Sequence, residues 1–275
     1  MFDLHVHAAP DIVERFDDDV DTVARYAAAG FTGCVLKAHY ESTVGRAAAA
    51  ARTQGIAVYG GLALNQHVGG LNPSAVAAAL ASGARVIWFP TADSHTQASA
   101  GLPRLCGVRA GLSTHTYALP PVDPTTEARV REIVALIAEA DAVLATGHIS
   151  TDEVAWLLPV ARAAGVRRML LTHPSYTVPA MSAARAREFT ELGACAEITT
   201  FQLLHQDSVD AAALAAFARE VGLDRVVLTS DAGQVDSPSA PDALRLLVER
   251  LVAEGLDRGA VEACAAELPY RLTVN

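Results

Sequence analysis

The stretch MFDLHVHAAPDIVERFDDDVDTVARYAAAGFTGCVLKAH, residues 1–39, decides the fold of this chain. Apolar runs rich in β-forming residues occupy 2–7 and 32–39, and an amphipathic segment of helical period lies between them over 20–29. Gly30 follows that segment, as glycine commonly does at the end of a helix. A strand, a helix and a second strand in succession predict a parallel βαβ unit.

The same alternation continues to the end of the chain. Further strand-like apolar runs occupy residues 56–64, 85–90, 142–146, 168–172, 194–199 and 225–230. Alanine-rich amphipathic segments separate these runs, and helix-start signals with an acidic first turn occur at 126–127 and 150–153. Eight such units in 275 residues predict a single (β/α)₈ barrel domain over 1–275. A doubly wound open sheet is the alternative, because strand order cannot be read from a sequence.

An unusually long segment separates the fourth and fifth predicted strands. Residues 91–125 are rich in Gly, Pro, Ser and His, and residues 107–115 alternate between apolar and polar positions. Long ordered insertions are usually functional, often as lids or binding loops. We therefore expect a loop or hairpin over 91–125 that covers the active site at the barrel mouth. The alternative is a disordered or dimer-contact excursion.

Composition excludes several classes of protein. Hydrophobic residues make up 51% of the chain, which favours a folded globular protein over a disordered one. The formal net charge is −10 with no Lys/Arg cluster, so we expect no nucleic-acid partner. The chain has neither a run of about 18 apolar residues nor a signal-peptide pattern, so we expect a cytoplasmic protein without a membrane partner. The 4 cysteines lack C-x-x-C spacing, which favours reduced thiols.

Residues with metal-ligand chemistry end several of the predicted strands. His5 and His7 are two apart on the first strand and therefore face the same side. Other predicted strand ends carry Lys37, His39, His67, His148, His173 and Asp231. Because active sites of parallel barrels lie at the carboxyl ends of the strands, we expect these side chains to meet there. Imidazole is the commonest ligand of zinc and related metals, so the pattern predicts a metal site.

This order of strand-end residues resembles the amidohydrolase superfamily of metal-dependent hydrolases over nearly the whole chain. In that family an H-x-H ends strand one, single histidines end strands five and six, and an aspartate ends strand eight. The matching residues are His5, His7, His148, His173 and Asp231. Residues 267–272 are also similar to a segment that closes many members. The resemblance implies a TIM barrel that hydrolyses a small molecule with the help of divalent metal ions.

The residue that would bridge two metal ions departs from the family pattern. Many members with two ions use a carboxylated lysine at the end of strand four, whereas residues 86–91 contain no lysine. Lys37, the single lysine of the chain, lies on the second predicted strand instead. Burial favours its neutral amine, which can react with CO₂ to form a bridging carbamate. The alternatives are a Lys37 ammonium that binds a substrate anion, a ligand role for His39 or Asp93, and a mononuclear site.

The resemblance also implies a mechanism. A nitrogen and oxygen ligand set suits zinc first, with iron, manganese or cobalt as alternatives, and we expect two ions. Such ions lower the pKa of bound water towards neutrality and polarise a carbonyl. We expect Asp231 to act as the general base and His173 as a ligand or polarising group. The expected substrate is a small ester, lactone, thioester or amide.

Candidate substrate contacts lie in the loops after the strands and in the insertion. They are His67, His95, Arg109, His115, Tyr117, Tyr176 and Gln202. For each of them an ordinary structural role in a loop is the alternative.

Three other functions remain open at this point. Residues 3–7 also resemble the opening of the PHP phosphoesterases, which use a trinuclear site on a seven-stranded barrel. A mononuclear decarboxylase of the amidohydrolase superfamily is the second alternative. The third is a barrel that binds a metal or small molecule without catalysis. A homodimer is an expectation by analogy with other barrel hydrolases.

Overall fold

A computed structural model of the chain describes residues 1–102 and 114–274. Its sheet contains eight strands in the order of the sequence, and every neighbouring pair is parallel. The strands are β1 (Phe2–His7), β2 (Gly33–Lys37), β3 (Ala57–Ala63), β4 (Val86–Trp88), β5 (Val143–Ala145), β6 (Arg168–Leu171), β7 (Ala194–Thr199) and β8 (Val226–Thr229). The predicted (β/α)₈ barrel is confirmed. The doubly wound alternative is wrong, because it requires a reversal of strand order.

Helices alternate with the strands. They are α1 (Asp19–Ala28), α2 (Val44–Gln54), α3 (Pro73–Ala81), α4 (His95–Ser99), α5 (Glu127–Glu139), α6 (Thr151–Ala163), α7 (Ala183–Glu191), α8 (Thr200–His205), α9 (Ala211–Val221), α10 (Ala240–Ala253), α11 (Arg258–Cys264) and α12 (Glu267–Val274). The predicted start of α6 is a capping box between Ser150 and Glu153. Across the described residues, none of these helices has the length and apolar character needed to cross a membrane.

Two apolar layers form the core. Side chains inside the barrel form one layer, which includes Leu4, Val35, Trp88, Val143 and Val227. Neighbouring positions on the same strands face outwards and pack beneath the helices, as Leu36 and Ile87 do. This alternation follows from the period of two along a strand, and it leaves the strand ends free to carry polar groups.

Helix α12 closes the amino end of the barrel. Its Leu268 and Leu272 pack against the interior layer, and the Tyr270 ring meets the Phe2 ring edge-on at 5.7 Å between centroids. Arg168 Nη1 donates hydrogen bonds to the carbonyl oxygens of Arg271 and Leu272, at 2.8 and 3.0 Å. These contacts satisfy carbonyls at the end of α12 and seal this face with mostly apolar side chains.

A bulge in β1 turns both of its histidines into the barrel. The pairing of β1 with β2 shifts register between Asp3 and Val6, where the His5 N–H donates to Asp3 Oδ1 at 3.1 Å. Leu4 belongs to the interior layer and Val6 to the outer one, so the alternation changes at His5. The Asp231 N–H donates to the His5 carbonyl at 2.8 Å, which helps to close the barrel between β8 and β1.

The segment after β4 is described in part. It contains α4 and a parallel bridge between Ser94 and Tyr117. Most of the alternating stretch 107–115 falls in 103–113, outside the described residues. The hairpin over the active site therefore stays a prediction.

Candidate active site

The residues predicted to bind metal converge at the carboxyl end of the barrel. A cavity of about 470 Å³ opens there. Its lining includes His7, Lys37, His39, His148, His173 and Asp231. His5 is fully buried and contributes its Nε2, which lies 3.0 Å from Asp231 Oδ1. These side chains end or follow five different strands, β1, β2, β5, β6 and β8, so the barrel itself brings them together.

His5, His7 and Asp231 form the tightest group. Asp231 Oδ1 lies 3.0 Å from His5 Nε2 and 3.2 Å from His7 Nε2. All three side chains are buried, and their ligand atoms lie within 4.8 Å of one another. Two imidazole nitrogens and a carboxylate oxygen are the donor set of many zinc and iron sites. The residues present therefore fit a divalent cation.

A second group of rings lies beside the first. The His148 and His173 ring centroids are 4.8 Å apart, and the His39 centroid is 6.3 Å from that of His148. The His39 ring also stacks on His7 at 4.9 Å. His173 Nδ1 is buried and has no hydrogen-bond partner among the described residues. Because a buried polar atom without a partner costs about 1–3 kcal/mol, this nitrogen also suits a cation.

Lys37 lies beneath the cavity between these groups. Its side chain is almost fully buried, and Nζ is 2.8 Å from His5 Nε2. The Trp88 ring centroid lies 5.5 Å from Nζ on the other side. Burial lowers the pKa of the Lys37 ammonium.

Glu197 on β7 supports both groups, although it was not predicted as a site residue. The His5 Nδ1–H donates to Glu197 Oε1 at 3.0 Å, and the His173 backbone N–H donates to Oε2 at 3.0 Å. The Thr229 hydroxyl donates to Oε1 as well, at 2.9 Å. With its Nδ1 proton held by Glu197, His5 would present Nε2 to a cation. The signal for Glu197 in the sequence was an acidic residue in the middle of an apolar predicted strand.

Electrostatics at this end favour a bound cation. Burial lowers the pKa of His173 to about 4 and holds three other imidazoles well below their ordinary value, those of His7, His39 and His148. Burial also disfavours a charged His5, but Asp231 outweighs it and raises the pKa of His5 to about 9. Burial opposes ionisation of Asp231, yet the neighbouring His5 holds the pKa of that carboxyl well below its usual range. The four neutral imidazoles and the ionised Asp231 carboxylate are in the protonation states that metal binding needs, whereas His5 has to release a proton to become a ligand.

Backbone strain is concentrated at the same strand ends. His173 and Asp231 have positive φ angles of 25° and 48°, which residues other than glycine rarely adopt. Gly147, before His148, has a φ of 65°, and a Cβ there would lie 2.2 Å from the Phe89 carbonyl oxygen. Only glycine fits this close approach.

Arg15 reaches the cavity from the loop between β1 and α1. Asp11 Oδ2 accepts hydrogen bonds from Arg15 Nε at 2.8 Å and Nη2 at 2.7 Å, and both side chains are about 95% buried. Arg15 Nη2 is 3.3 Å from His7 Nδ1. This ion pair was not predicted, because nothing in the local pattern of residues 8–18 links Arg15 to the strand end.

The remaining cavity wall is largely apolar. It includes Val13, Ala92, Leu102, Tyr176, Phe201 and Val235. The Tyr176 ring meets His173 edge-on at 5.2 Å, so this predicted substrate contact does line the cavity. Glu14 and Asp236 add two carboxylates to the lining. The cavity therefore combines a polar floor, an apolar wall and acidic groups.

Most other predicted substrate contacts lie elsewhere. His67 packs against Tyr40 at 4.5 Å, and His115 packs against Tyr117 at 4.7 Å. The Tyr117 hydroxyl donates to Gln66 Oε1 at 2.6 Å. None of the three predicted residues in these contacts is part of the cavity lining in the described chain.

The last three candidates have structural contacts or lie outside the described residues. His95 Nε2 is 3.3 Å from Ser99 Oγ within α4. Gln202 forms the capping box of α8 with Thr199, and its Nε2 donates to Ser175 Oγ at 2.8 Å. Arg109 lies in 103–113, outside the described residues.

Solved structures of similar shape include several hydrolases. An amidohydrolase from Pseudomonas aeruginosa aligns with a TM-score of 0.65 at 13% identity, over 99% of this chain and 94% of its own. A TatD homologue from Escherichia coli K12 aligns at 0.61 with 16% identity, over 99% and 97% of the two chains. An organophosphorus hydrolase from Deinococcus radiodurans aligns at 0.61 with 12% identity, over 98% and 92%. At 12–16% identity these matches confirm the predicted barrel fold, and the likeness to these hydrolases is one of fold alone.

Sequence comparison gives a family without an activity. Among curated protein sequences, none matches this chain. The model of the DUF6282 family, described as a family of unknown function, matches residues 1–197. That region carries six of the seven predicted metal ligands, all except Asp231. Because the match covers well over half of the 275 residues, the chain belongs to the DUF6282 family.

Proposed function

We propose that this protein is a metal-dependent hydrolase that acts on a small carbonyl compound, namely an ester, lactone, thioester or amide. The observation that carries the proposal is the group formed by His5, His7 and Asp231. Its ligand atoms lie within 4.8 Å of one another at the floor of a cavity of about 470 Å³. A cavity of this size accepts a small organic molecule.

The two groups of side chains described above would hold the metal. His5, His7 and Asp231 bind one ion in this proposal, and His148 and His173 contribute to a second. Zinc is the first choice for these nitrogen and oxygen donors, and iron or manganese are the alternatives. When bound, such an ion lowers the pKa of water towards neutrality and polarises a carbonyl oxygen.

Asp231 is the proposed general base. Its buried carboxylate stays ionised because the neighbouring His5 favours the charged form. In that state it can accept a proton from the attacking water and return it to the leaving group. Tyr176, whose ring meets that of His173 at 5.2 Å, would orient the substrate beside it.

We propose that Lys37 carries a carbamate that bridges the two ions. The neutral Nζ amine forms an N–C bond to CO₂ and loses one proton, which leaves a carboxylate with two oxygens. The contact of Nζ with His5 Nε2 at 2.8 Å supports this role, since it puts the amine beside a proposed ligand. Lys37→Met should then weaken metal binding, and added bicarbonate should speed metal reconstitution of the wild type only.

The cavity wall supports a neutral substrate with an apolar part. Val13, Phe201 and Val235 offer apolar surface. Glu14 and Asp236 would repel a dianionic phosphate monoester, and the charge of Arg15 is already paired with Asp11. This charge pattern favours a carbonyl substrate over the phosphoesterase alternative. The partner is thus a small molecule.

A hydrolase panel with metal analysis tests the proposal. We expect protein purified without chelator to contain zinc, iron or manganese and to hydrolyse at least one p-nitrophenyl ester, lactone, thioester or N-acyl compound. Removal of the metal should abolish the activity, and its return should restore it. Phosphate release without carbonyl hydrolysis would support the phosphoesterase instead. One ion per chain with CO₂ evolution would support the decarboxylase, and protein without metal would support the binding-only barrel.

A further inference from the structure

Two side chains that follow β4 each contact the ring of a cavity histidine that follows another strand. Thr91 contacts His39, which follows β2, and Gln97 contacts His148, which follows β5. Neither residue was among the predicted site residues. Both contacts join positions more than 50 residues apart in the chain, so they depend on the barrel fold.

Thr91 is fixed by a buried hydrogen-bond network. Asn65 Nδ2 donates to Thr91 Oγ1 and to the His39 carbonyl, each at 2.7 Å. Asn65 Oδ1 accepts the Thr91 backbone N–H at 2.9 Å. Thr91 Oγ1 then lies 2.8 Å from His39 Nδ1, a distance at which the hydroxyl oxygen can accept a hydrogen bond from an Nδ1–H. Asn65 and Thr91 are fully buried, so water does not compete for these bonds.

Gln97 is fixed by the first turn of α4. Ser94 Oγ accepts the Gln97 N–H at 3.0 Å and donates to the His148 carbonyl at 2.9 Å. The same serine therefore ties the start of α4 to the residue that α4 orients. Gln97 Oε1 lies 3.2 Å from His148 Nδ1 and accepts its proton.

When each Nδ1–H donates to one of these oxygens, Nε2 is the nitrogen left to bind a cation in the cavity. A neutral imidazole carries one proton, and a proton on Nδ1 leaves a lone pair on Nε2. Both rings line the cavity, and neither Nε2 has a hydrogen-bond partner within the described parts of the chain. The arrangement matches that of metal-binding histidines, whose second nitrogen donates to an outer acceptor.

We infer that Thr91 and Gln97 are positioning residues, which orient His39 and His148 for a second divalent cation that His148 and His173 would hold. The inference rests on the proposed function. It assigns to the segment after β4 two hydrogen-bond acceptors that orient ligands from β2 and β5, in a barrel whose β4 end has no lysine.

The first cation position has its own support. Glu197 holds His5 Nδ1 at 3.0 Å, and no bond from Thr91 or Gln97 to His5, His7 or Asp231 exists among the described residues. Removal of the Thr91 or Gln97 acceptor should therefore weaken one metal site and leave the other intact.

Zinc titration of the full chain tests the inference. Metal-free wild type, Gln97→Met and Thr91→Val are titrated against a chromophoric chelator, with circular dichroism as the check on folding. We expect two zinc ions in the wild type and a 10–100-fold weaker second ion in each variant, the usual effect of losing an outer hydrogen bond to a ligand. Gln97→Glu and Thr91→Ser keep an acceptor and should restore affinity. Thr96→Val is the matched control, because this α4 hydroxyl donates to Glu153 instead, at 3.3 Å.

The outcomes separate the inference from the function. Variants that bind both ions with wild-type affinity would overturn the positioning role, as would a failure of the conservative variants to restore the second ion. A wild type with one zinc overturns the second site alone. A wild type without zinc, iron or manganese overturns the proposed function itself. If one variant unfolds, the other variant tests the inference. Its second site is then also followed by the absorption spectrum of bound cobalt.

Discussion

The two ends of the barrel are built from the same strands and are both buried, yet they contain opposite chemistry. On β1, Phe2 packs against Tyr270 of α12 at the amino end, while His7 lines the cavity at the carboxyl end. Their exposed fractions are 0% and 3%. Burial of the phenyl ring stabilises the fold, whereas burial of ionisable groups costs stability unless they are paired or bind a metal. The difference separates the part of the barrel that maintains the fold from the part available for chemistry.

The largest effect is expected at the carboxyl end. Asp231→Asn should lower kcat/KM for the best substrate of the panel by on the order of 10²–10⁴-fold, because the proposed general base is lost. The melting temperature should change little. Asp236→Asn is the control, since Asp236 lines the same cavity and its side chain is 71% exposed. Near-normal turnover of Asp231→Asn would refute the assignment.

The amino end should respond in the opposite way. Phe2→Ala removes a fully buried ring and should lower the free energy of unfolding by about 3–5 kcal/mol, measured by urea denaturation. The protein that remains folded should bind the same number of metal ions as the wild type. A loss of metal ions in the folded fraction would show that the two ends are coupled.

A smaller effect is expected from a substitution at Gly147, where the backbone before His148 is strained. Gly147→Ala forces a Cβ to within 2.2 Å of the Phe89 carbonyl oxygen, in addition to a positive φ of 65°. The cost should be on the order of 1–3 kcal/mol in thermal unfolding, with weaker metal binding. Gly165→Ala is the matched control, because its φ is 92° but nothing lies within 4 Å of the added Cβ. Equal losses of stability in the two variants would show that the close approach to Phe89 contributes nothing.

The smallest effect concerns the apolar wall. Val235 lines the cavity and is 55% exposed, so Val235→Ser should leave stability unchanged. It should lower kcat/KM for p-nitrophenyl hexanoate about two- to tenfold relative to the acetate, since partial burial of valine is worth about 1 kcal/mol. An unchanged ratio of hexanoate to acetate would place the apolar part of the substrate elsewhere.

Strand ends are the part of this molecule that sequence predicts well. The period of two placed His5 and His7 on one side, and the barrel rule placed His148, His173 and Asp231 at the same end. Strands β1 and β7 have the predicted bounds, whereas the other six are shorter than predicted. β4, for example, covers Val86–Trp88 instead of 85–90. Several of the site residues, namely His39, His148, His173 and Asp231, lie just after the last residue of a strand.

Contacts between distant segments are the part that sequence does not predict. The bulge at Asp3 depends on a side chain that also accepts the Ser230 N–H, 227 positions away. The contacts of Arg15 with His7, and of Thr91 and Gln97 with their histidines, depend on loop paths that no local pattern determines. Glu197 was visible as a buried acid, but its partner His5 lies 192 positions earlier.

The single lysine has a practical consequence for following motion at the cavity. All other basic side chains are arginines or histidines, so a lysine-specific protease has one cleavage point in the chain, after Lys37. That peptide bond lies at the end of β2, and both Lys37 and Ala38 are buried. Cleavage into two fragments therefore requires β2 to leave the barrel. The rate at which these fragments appear reports how often β2 leaves the barrel of the otherwise folded protein.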